Sequence, residues 1–158
     1  MIQDIVPAVA VVIFKKEDPS LVLIVTHGEE AGHPTNIDGV VSERIKTDIG
    51  ESPQEAAVRG VWEETGLTIN MEDLAQVGTV DRIRIERKGG KDLVGSCIGF
   101  LYKGIYEGVI RPGNRETTPK WEPVVDVLRE GRWLVNGTRQ VLNSALKERS
   151  IIRGEKER

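Results

Sequence analysis

Cysteine is almost absent: Cys97 is the only one in 158 residues. That excludes an internal disulfide framework and fits a reducing compartment, so a cytoplasmic protein is expected. Cys97 lies in an apolar run, where a thiol packs rather than reacts. Histidine is nearly as scarce, and the two present, His27 and His33, do not have the spacing of a zinc site. Excess charge of one sign is also missing. A formal net charge of -3 gives no general attraction to nucleic acid. No nucleic-acid partner is therefore expected, and a phosphate-bearing ligand would need local basic groups and metal. The apolar run from Ile5 to Phe14 is too short to span a bilayer and has no basic leader. It reads as a buried strand, and no membrane partner is expected. Repeats, low-complexity tracts and interdomain linkers are absent as well.

What is present suits one domain over residues 1–158, with enough chain for a real core and a charge-dense tail from Lys147 whose last residues fray. Residues 7–15 and 21–27 read as strands joined by a polar turn at 16–20. Residues 27–43 read as a long connection rich in glycine and proline. Residues 76–87 alternate apolar and polar positions, 88–91 (Lys-Gly-Gly-Lys) signal a hairpin turn, and 93–105 return as a more apolar strand. An irregular loop is expected over 111–120 and a short helix within 122–130, stopped by Gly131. Asn136 is placed to cap a final helix with Val141, Leu142, Ala145 and Leu146 on one face. Strands interspersed with helices around one long hairpin predict an α/β fold, a mixed sheet covered on both sides by helices.

The most informative segment is 50–67, GESPQEAAVRGVWEETGL. Ser52 and Glu55 form an S-x-x-E capping box, and Pro53 sits at the first helical position, where its missing N–H is not needed. Gly66 is placed to end the helix in a left-handed conformation. Glu63 and Glu64 stand near the C-terminal end, with Arg59 one turn earlier, able to pair with Glu63 or reach back to Glu51. Carboxylates on a rigid element can gather a hard divalent cation, which prefers oxygen ligands and substrate phosphates.

This segment resembles the Nudix box, G-x5-E-x7-R-E-U-x-E-E-x-G-U with U aliphatic, of enzymes that hydrolyse nucleoside diphosphates linked to another group. Glu51, Arg59, Val61, Glu63, Glu64, Gly66 and Leu67 match at the right spacing. Strict spacing puts Ile45 at the first glycine of the pattern, whereas a two-residue insertion puts Glu43 there, followed by Arg44-Ile45 as in a common family variant. Gly60 stands where the family has a glutamate that ligates metal or serves as general base.

The resemblance implies a Nudix-like α/β/α sandwich with a mixed sheet. It implies a Mg2+- or Mn2+-dependent hydrolase (MutT-like) that cleaves the pyrophosphate linkage of a small-molecule nucleotide derivative, with Glu63 and Glu64 as metal ligands and Arg59 and Glu51 orienting the box. Residues 116–121 are similar to the family's segment after the sheet, and Glu116 is the candidate there for a further ligand or base. Glu43 and Asp48 could replace the carboxylate missing at Gly60. Arg44, Lys46, Arg82, Arg84 and Arg111 could bind phosphate, and Trp121 and Trp133 could stack on a base. The alternative is a non-catalytic module that binds a nucleotide or sugar nucleotide in the same cleft. Oligomeric state is open, a homodimer included. With no appended DNA-binding domain, a Nudix-type regulator is not expected. Glycine at 60 costs the helix about 1 kcal/mol relative to alanine, so substitution there is expected to stabilise it.

Overall fold

The computed structural model describes residues 5–28, 36–85, 92–113 and 117–157, with backbone alone for 85 and 151–157. His33, the turn expected at 88–91 and Glu116 lie outside the described residues. In chain order the elements are β1 (Ile5–Val12), β2 (Leu21–His27), β3 (Ile37–Gly39), β4 (Val41–Arg44), α1 (Pro53–Thr65), β5 (Leu74–Ile85), β6 (Leu93–Tyr102), β7 (Thr118–Pro123), α2 (Val124–Val127) and α3 (Thr138–Glu157).

Successive side chains of a strand point to opposite faces, so a strand apolar at every position must be covered on both. Strand β1 is of this kind: Val9 and Val11 enter one core, Ala10 and Val12 the other. Strand β2 divides the same way, Leu23 and Val25 against Val22 and Ile24. Helix α1 closes the first core through Ala56, Ala57 and Val61. Helix α3 closes the second through Val141, Leu142 and Ala145, with Val127 of α2 beside them. The outcome is the expected α/β/α sandwich. Its mixed four-stranded sheet has the order β4-β1-β6-β5, β1 running parallel to β6 and antiparallel to β4. An antiparallel three-stranded sheet has the order β3-β2-β7.

Helix α1 begins and ends where its sequence says. Glu55 N–H donates to Ser52 Oγ at 3.1 Å, and Ser52 N–H donates back to the Glu55 carboxylate at 3.0 Å. Gly66 closes the helix at φ 81°, its N–H donating to the Trp62 carbonyl. Such an angle suits glycine, which has no Cβ to collide with the backbone.

Elsewhere tertiary pairing changes the reading. The expected connection over 27–43 contains β3, which pairs with β2, and β4, which pairs with β1. The expected loop over 111–120 becomes β7 from Thr118 onward. Pro119 is tolerated because β7 is an edge strand, where a missing N–H need not break the ladder. Asn136 does not begin a helix; its side-chain amide donates to the Arg84 carbonyl at 2.7 Å, and α3 starts at Thr138. In β5 the register shifts between Val80 and Ile83, so these two residues, three apart, pack against the same core. Among the described residues, no helix is long and apolar enough to cross a membrane.

The reciprocal cap of α1 gives a direct test. Ser52→Ala is expected to cost about 1 kcal/mol, read as a fall in melting temperature of roughly 2–4 °C for a chain of this size.

Candidate active site

The acidic end of α1 is organised by one guanidinium. Arg59 donates from Nε and from one terminal nitrogen to the two oxygens of Glu51, each at 2.9 Å, a bidentate grip. The same terminal nitrogen donates to the Arg44 carbonyl at 2.8 Å. Its other terminal nitrogen lies 3.3 Å from Glu63, one turn along, and 3.4 Å from Glu43 on β4. Glu51 also accepts the Lys46 N–H at 2.9 Å. Hydrogen bonds from Arg59, helped by that N–H, lower the Glu51 carboxyl from 4.5 to about 2. Arg59 and Glu51 thus tie the helix to the turn before it, the orienting role the resemblance implies.

Glu64 is the buried member, its side chain only 8 % exposed. Its Oε1 makes no hydrogen bond to any described residue, and His27 Nε2 faces it at 3.9 Å. Burial raises the Glu64 carboxyl well above the usual carboxylate range; the neighbouring charges of Glu43 and Glu63 add to this, while the Ser42 backbone and Arg59 oppose it. Glu43 is raised too, first by burial and then by Glu63, with Arg59 pulling it down.

Strand register explains why Glu43 faces this cluster. It pairs with Val9, whose side chain lies in the core under α1, and residues directly opposite in an antiparallel pair share a face. His27 reaches the cluster by the same rule, continuing the face of Leu23 and Val25. Beyond lacking the spacing of a zinc site with His33, His27 carries no local sequence signal for a role here. The alternation of β2 was the available signal for its direction, but nothing local indicated a carboxylate opposite.

These groups line one end of a cavity of about 440 Å3. Its walls continue over Ala8, Ala10 and Cys97 of the sheet to Ile83, Trp133 and Leu134. Cys97 is buried, which pushes its thiol up to about 12, so packing is its role, as expected. Arg44, Lys46 and Arg84 of the basic candidates stand on the cavity wall. Arg84 is paired with Asp92. Arg82 and Arg111 are not on the wall; Arg111 lies over the ring of Trp62, 4.8 Å from its centroid. Trp121 packs beside Tyr106 at the first core, whereas Trp133 is 58 % exposed and borders the cavity. Asp48 is exposed on a short turn away from the cavity. Glu116 is outside the described residues, but its neighbour Thr117 is buried on the cavity wall, its hydroxyl 3.4 Å from the Glu64 carbonyl.

The donor chemistry fits a hard divalent cation: carboxylate oxygens, one of them buried and without a hydrogen bond. Among the described residues, no three His, Cys, Asp or Glu side chains are already gathered to hold a metal ion. Mg2+ typically takes only one or two protein carboxylates and completes its shell with water and substrate phosphate.

Two expectations follow. Glu51 titrates below its ordinary 4.5, so its pairing stabilises the fold above that pH and the contribution is lost as pH falls toward 2. Glu51→Gln should therefore melt below wild type at pH 7, with the gap closing on acidification; a gap independent of pH would count against the pairing. The second concerns Gly60, where the expected helix gain is reversed by packing. A Cβ there would stand 2.8 Å from Glu43 Cβ. Overpacking of this kind costs roughly 1–3 kcal/mol, against a helix gain of about 1 kcal/mol. Gly60→Ala should lower the melting temperature in thermal unfolding.

Comparison with known proteins places the chain in a family and agrees with its fold. The model of the NUDIX domain matches residues 4–140. Among solved structures, the NUDIX domain of Shewanella oneidensis NrtR complexed with ADP ribose superposes with TM-score 0.68 at 21% identity, over 93% of this chain and 90% of that one. The MutT NUDIX hydrolase of Burkholderia pseudomallei gives TM-score 0.67 at 16% identity, over 90% of this chain and 98% of that one. A bifunctional NMN adenylyltransferase/ADP ribose pyrophosphatase of Francisella tularensis, complexed with AMP and a Mn ion, gives 0.63 at 16% identity, over 93% of this chain and 42% of that one. At these identities the superpositions speak for the fold alone. No curated protein matches the sequence. Because the family model spans most of the chain, including the capped helix and its acidic end, the protein belongs to the Nudix (MutT-like) hydrolase family.

Proposed function

We propose that the protein is a Mg2+- or Mn2+-dependent hydrolase that cleaves the pyrophosphate linkage of a nucleoside diphosphate derivative. Family membership supports a hydrolase in general. The observation that carries the finer reading is Glu64: a buried carboxylate oxygen without a hydrogen bond, on the wall of a cavity that also presents basic groups and an exposed tryptophan. Burying a charge in this way is costly unless a counter-charge arrives.

In this reading Glu64 and Glu63 hold the cation, and Arg59 fixes their helix while pairing with Glu63. A divalent ion bound there would neutralise phosphate oxygens and acidify the attacking water. Glu116, beside the buried Thr117, is proposed as the further ligand or base. Arg44 and Lys46, both on the cavity wall, are the groups proposed to meet phosphate oxygens. Trp133 offers an exposed ring in the same cavity lining, on which a base can stack. The substrate class is nucleotide-sized, which suits a cavity of about 440 Å3. The nucleotide ligands of two fold neighbours, ADP ribose and AMP, are consistent with that class.

A second reading has its own observation. Gly60 lacks the carboxylate that the family pattern carries, which favours a module that binds a nucleotide or sugar nucleotide without turning it over. A screen of nucleoside diphosphate derivatives with Mg2+ and with Mn2+, reading phosphate or nucleotide release, separates the two. Release in at least one pair supports the hydrolase. Thermal stabilisation by a nucleotide with no release under either metal supports the binding module.

Two further expectations belong to the hydrolase. Millimolar Mn2+ should raise the melting temperature, since a ligand that binds only the folded state stabilises it; Glu63→Gln combined with Glu64→Gln should abolish the rise. Stacking on an aromatic ring is worth roughly 1–3 kcal/mol. Trp133→Ala should therefore raise KM about tenfold with little change in kcat, the signature of lost uniform binding. Unchanged kinetics would remove Trp133 from substrate recognition.

A further inference from the structure

Residues 128–137 join α2 to α3 with no helix or named strand of their own. Backbone of this kind holds one position only when groups outside it fix it. Yet Trp133 to Gly137 form part of the cavity wall. What holds them comes from β3, β7 and α3.

Arg132 precedes Trp133 in the chain. Its side chain is only 13 % exposed, and burying a guanidinium is costly unless carboxylates meet it. It donates to Asp38 at 2.7 Å and to both oxygens of Glu122, at 2.7 and 3.2 Å. Arg139 of α3 donates to the Arg132 carbonyl at 3.2 Å and to the Leu128 carbonyl at 3.0 Å. Beyond Trp133, the Val135 N–H donates to the Asp38 carbonyl at 2.8 Å. Asp38 therefore grips the chain on both sides of Trp133, before it with its carboxylate and after it with its carbonyl. Gly39, the next residue of β3, permits this approach: a Cβ there would stand 2.8 Å from Val135 Cβ. Thr26 and Lys120 hold the Asp38 carboxylate in turn.

The ring between these two grips is 58 % exposed and borders the cavity. Asp38, Arg132 and Glu122 are not on the cavity wall. A tryptophan side chain has only two torsions. Once its backbone is fixed, little freedom remains to be lost when a flat group stacks on the ring.

We propose that Asp38 and Arg132 are positioning residues for nucleotide recognition: from outside the cavity they fix the backbone that presents the Trp133 ring to a base. The inference rests on the nucleotide reading above and names what holds its stacking group. The ion network then has two tasks, joining strands and setting one wall of the cavity.

The test is isothermal titration calorimetry of the full chain with ADP, GDP, CDP and UDP, each with Mg2+. The tightest of them is carried to the variants, at a temperature well below each variant's melting temperature. Trp133→Ala sets the scale, a loss of about tenfold. Arg132→Gln should weaken binding by a similar factor. Combined with Trp133→Ala it should cost no further affinity, because a residue that acts through the ring has nothing left to act on. Asp38→Asn keeps the carbonyl that holds Val135, and should weaken binding in the same direction. It too should add nothing once the ring is gone. Where Arg132→Gln does not fold, the Asp38→Asn pair of measurements decides. A contribution to stability alone would lower the melting temperature and leave the affinity unmoved.

If Arg132→Gln and Asp38→Asn bind as tightly as wild type while Trp133→Ala is weakened, the network only joins strands. The proposal then falls and the nucleotide reading stands. Losses that add in the double variants would place the effect elsewhere than the ring, and overturn the proposal as well. Trp133→Ala binding as tightly as wild type would overturn the stacking role and this proposal with it. Wild type that binds none of these diphosphates would overturn the nucleotide reading itself.

Discussion

The guanidinium of Arg59 is the constraint on which the acidic end of the molecule depends. Glu43, Glu51 and Glu63 all face it, and the Arg44 carbonyl takes another of its donors. Carboxylates brought this close raise one another's proton affinity unless a fixed positive charge intervenes. A lysine could supply the charge but not the arrangement. Only the planar fork of arginine grips Glu51 with two parallel hydrogen bonds and still presents nitrogens to the helix and to β4. Glu64 lies deeper and keeps an oxygen without a hydrogen bond. That oxygen faces His27 Nε2 at 3.9 Å.

The sandwich then fixes which side chains meet on each face of the sheet. Alternation along β1 and β2 assigns one face of the sheet to α1 and the other to α3, and pairing delivers Glu43 and His27 to the α1 face. One cavity is lined by Glu43, Glu63 and Glu64, by Ala8 and Ala10 of the sheet, and by Trp133. Carboxylates, two basic side chains and an exposed aromatic ring thus share the wall of one cavity. The second ion network has a different purpose. Asp38 accepts from Thr26 at 2.6 Å, Lys120 at 3.1 Å and Arg132 at 2.7 Å, and Arg132 also holds Glu122, fastening β2, β3 and β7 together away from the cavity.

Much of the fold was legible because the signals were either local or two-sided. Helix α1 spans the residues its caps marked, and β2 covers Leu21–His27 as its sequence reads. The layers followed from strands apolar at every position. Segments that failed were those whose strand character comes from a partner. Strands β3 and β4 are only three and four residues long, too short for a pattern of their own to read. Strand β7 contains two prolines, which argue for a loop until its edge position is known. Asn136 has a capping residue's chemistry, yet a carbonyl on β5 claimed its amide.

The site divides along the same line. By itself the sequence determined a capped helix carrying Arg59, Glu63 and Glu64 in fixed relation, because capping and helical neighbours act within four residues. It also determined that the carboxylate at position 60 is gone. Only the tertiary structure decided what glycine there is for. Glu43 comes within 3 Å of a side chain at 60 through the register of β4 on β1, an interaction between strands that no local spacing encodes. The same register reverses the meaning of Gly60, from a weak point in a helix to the space that another glutamate fills.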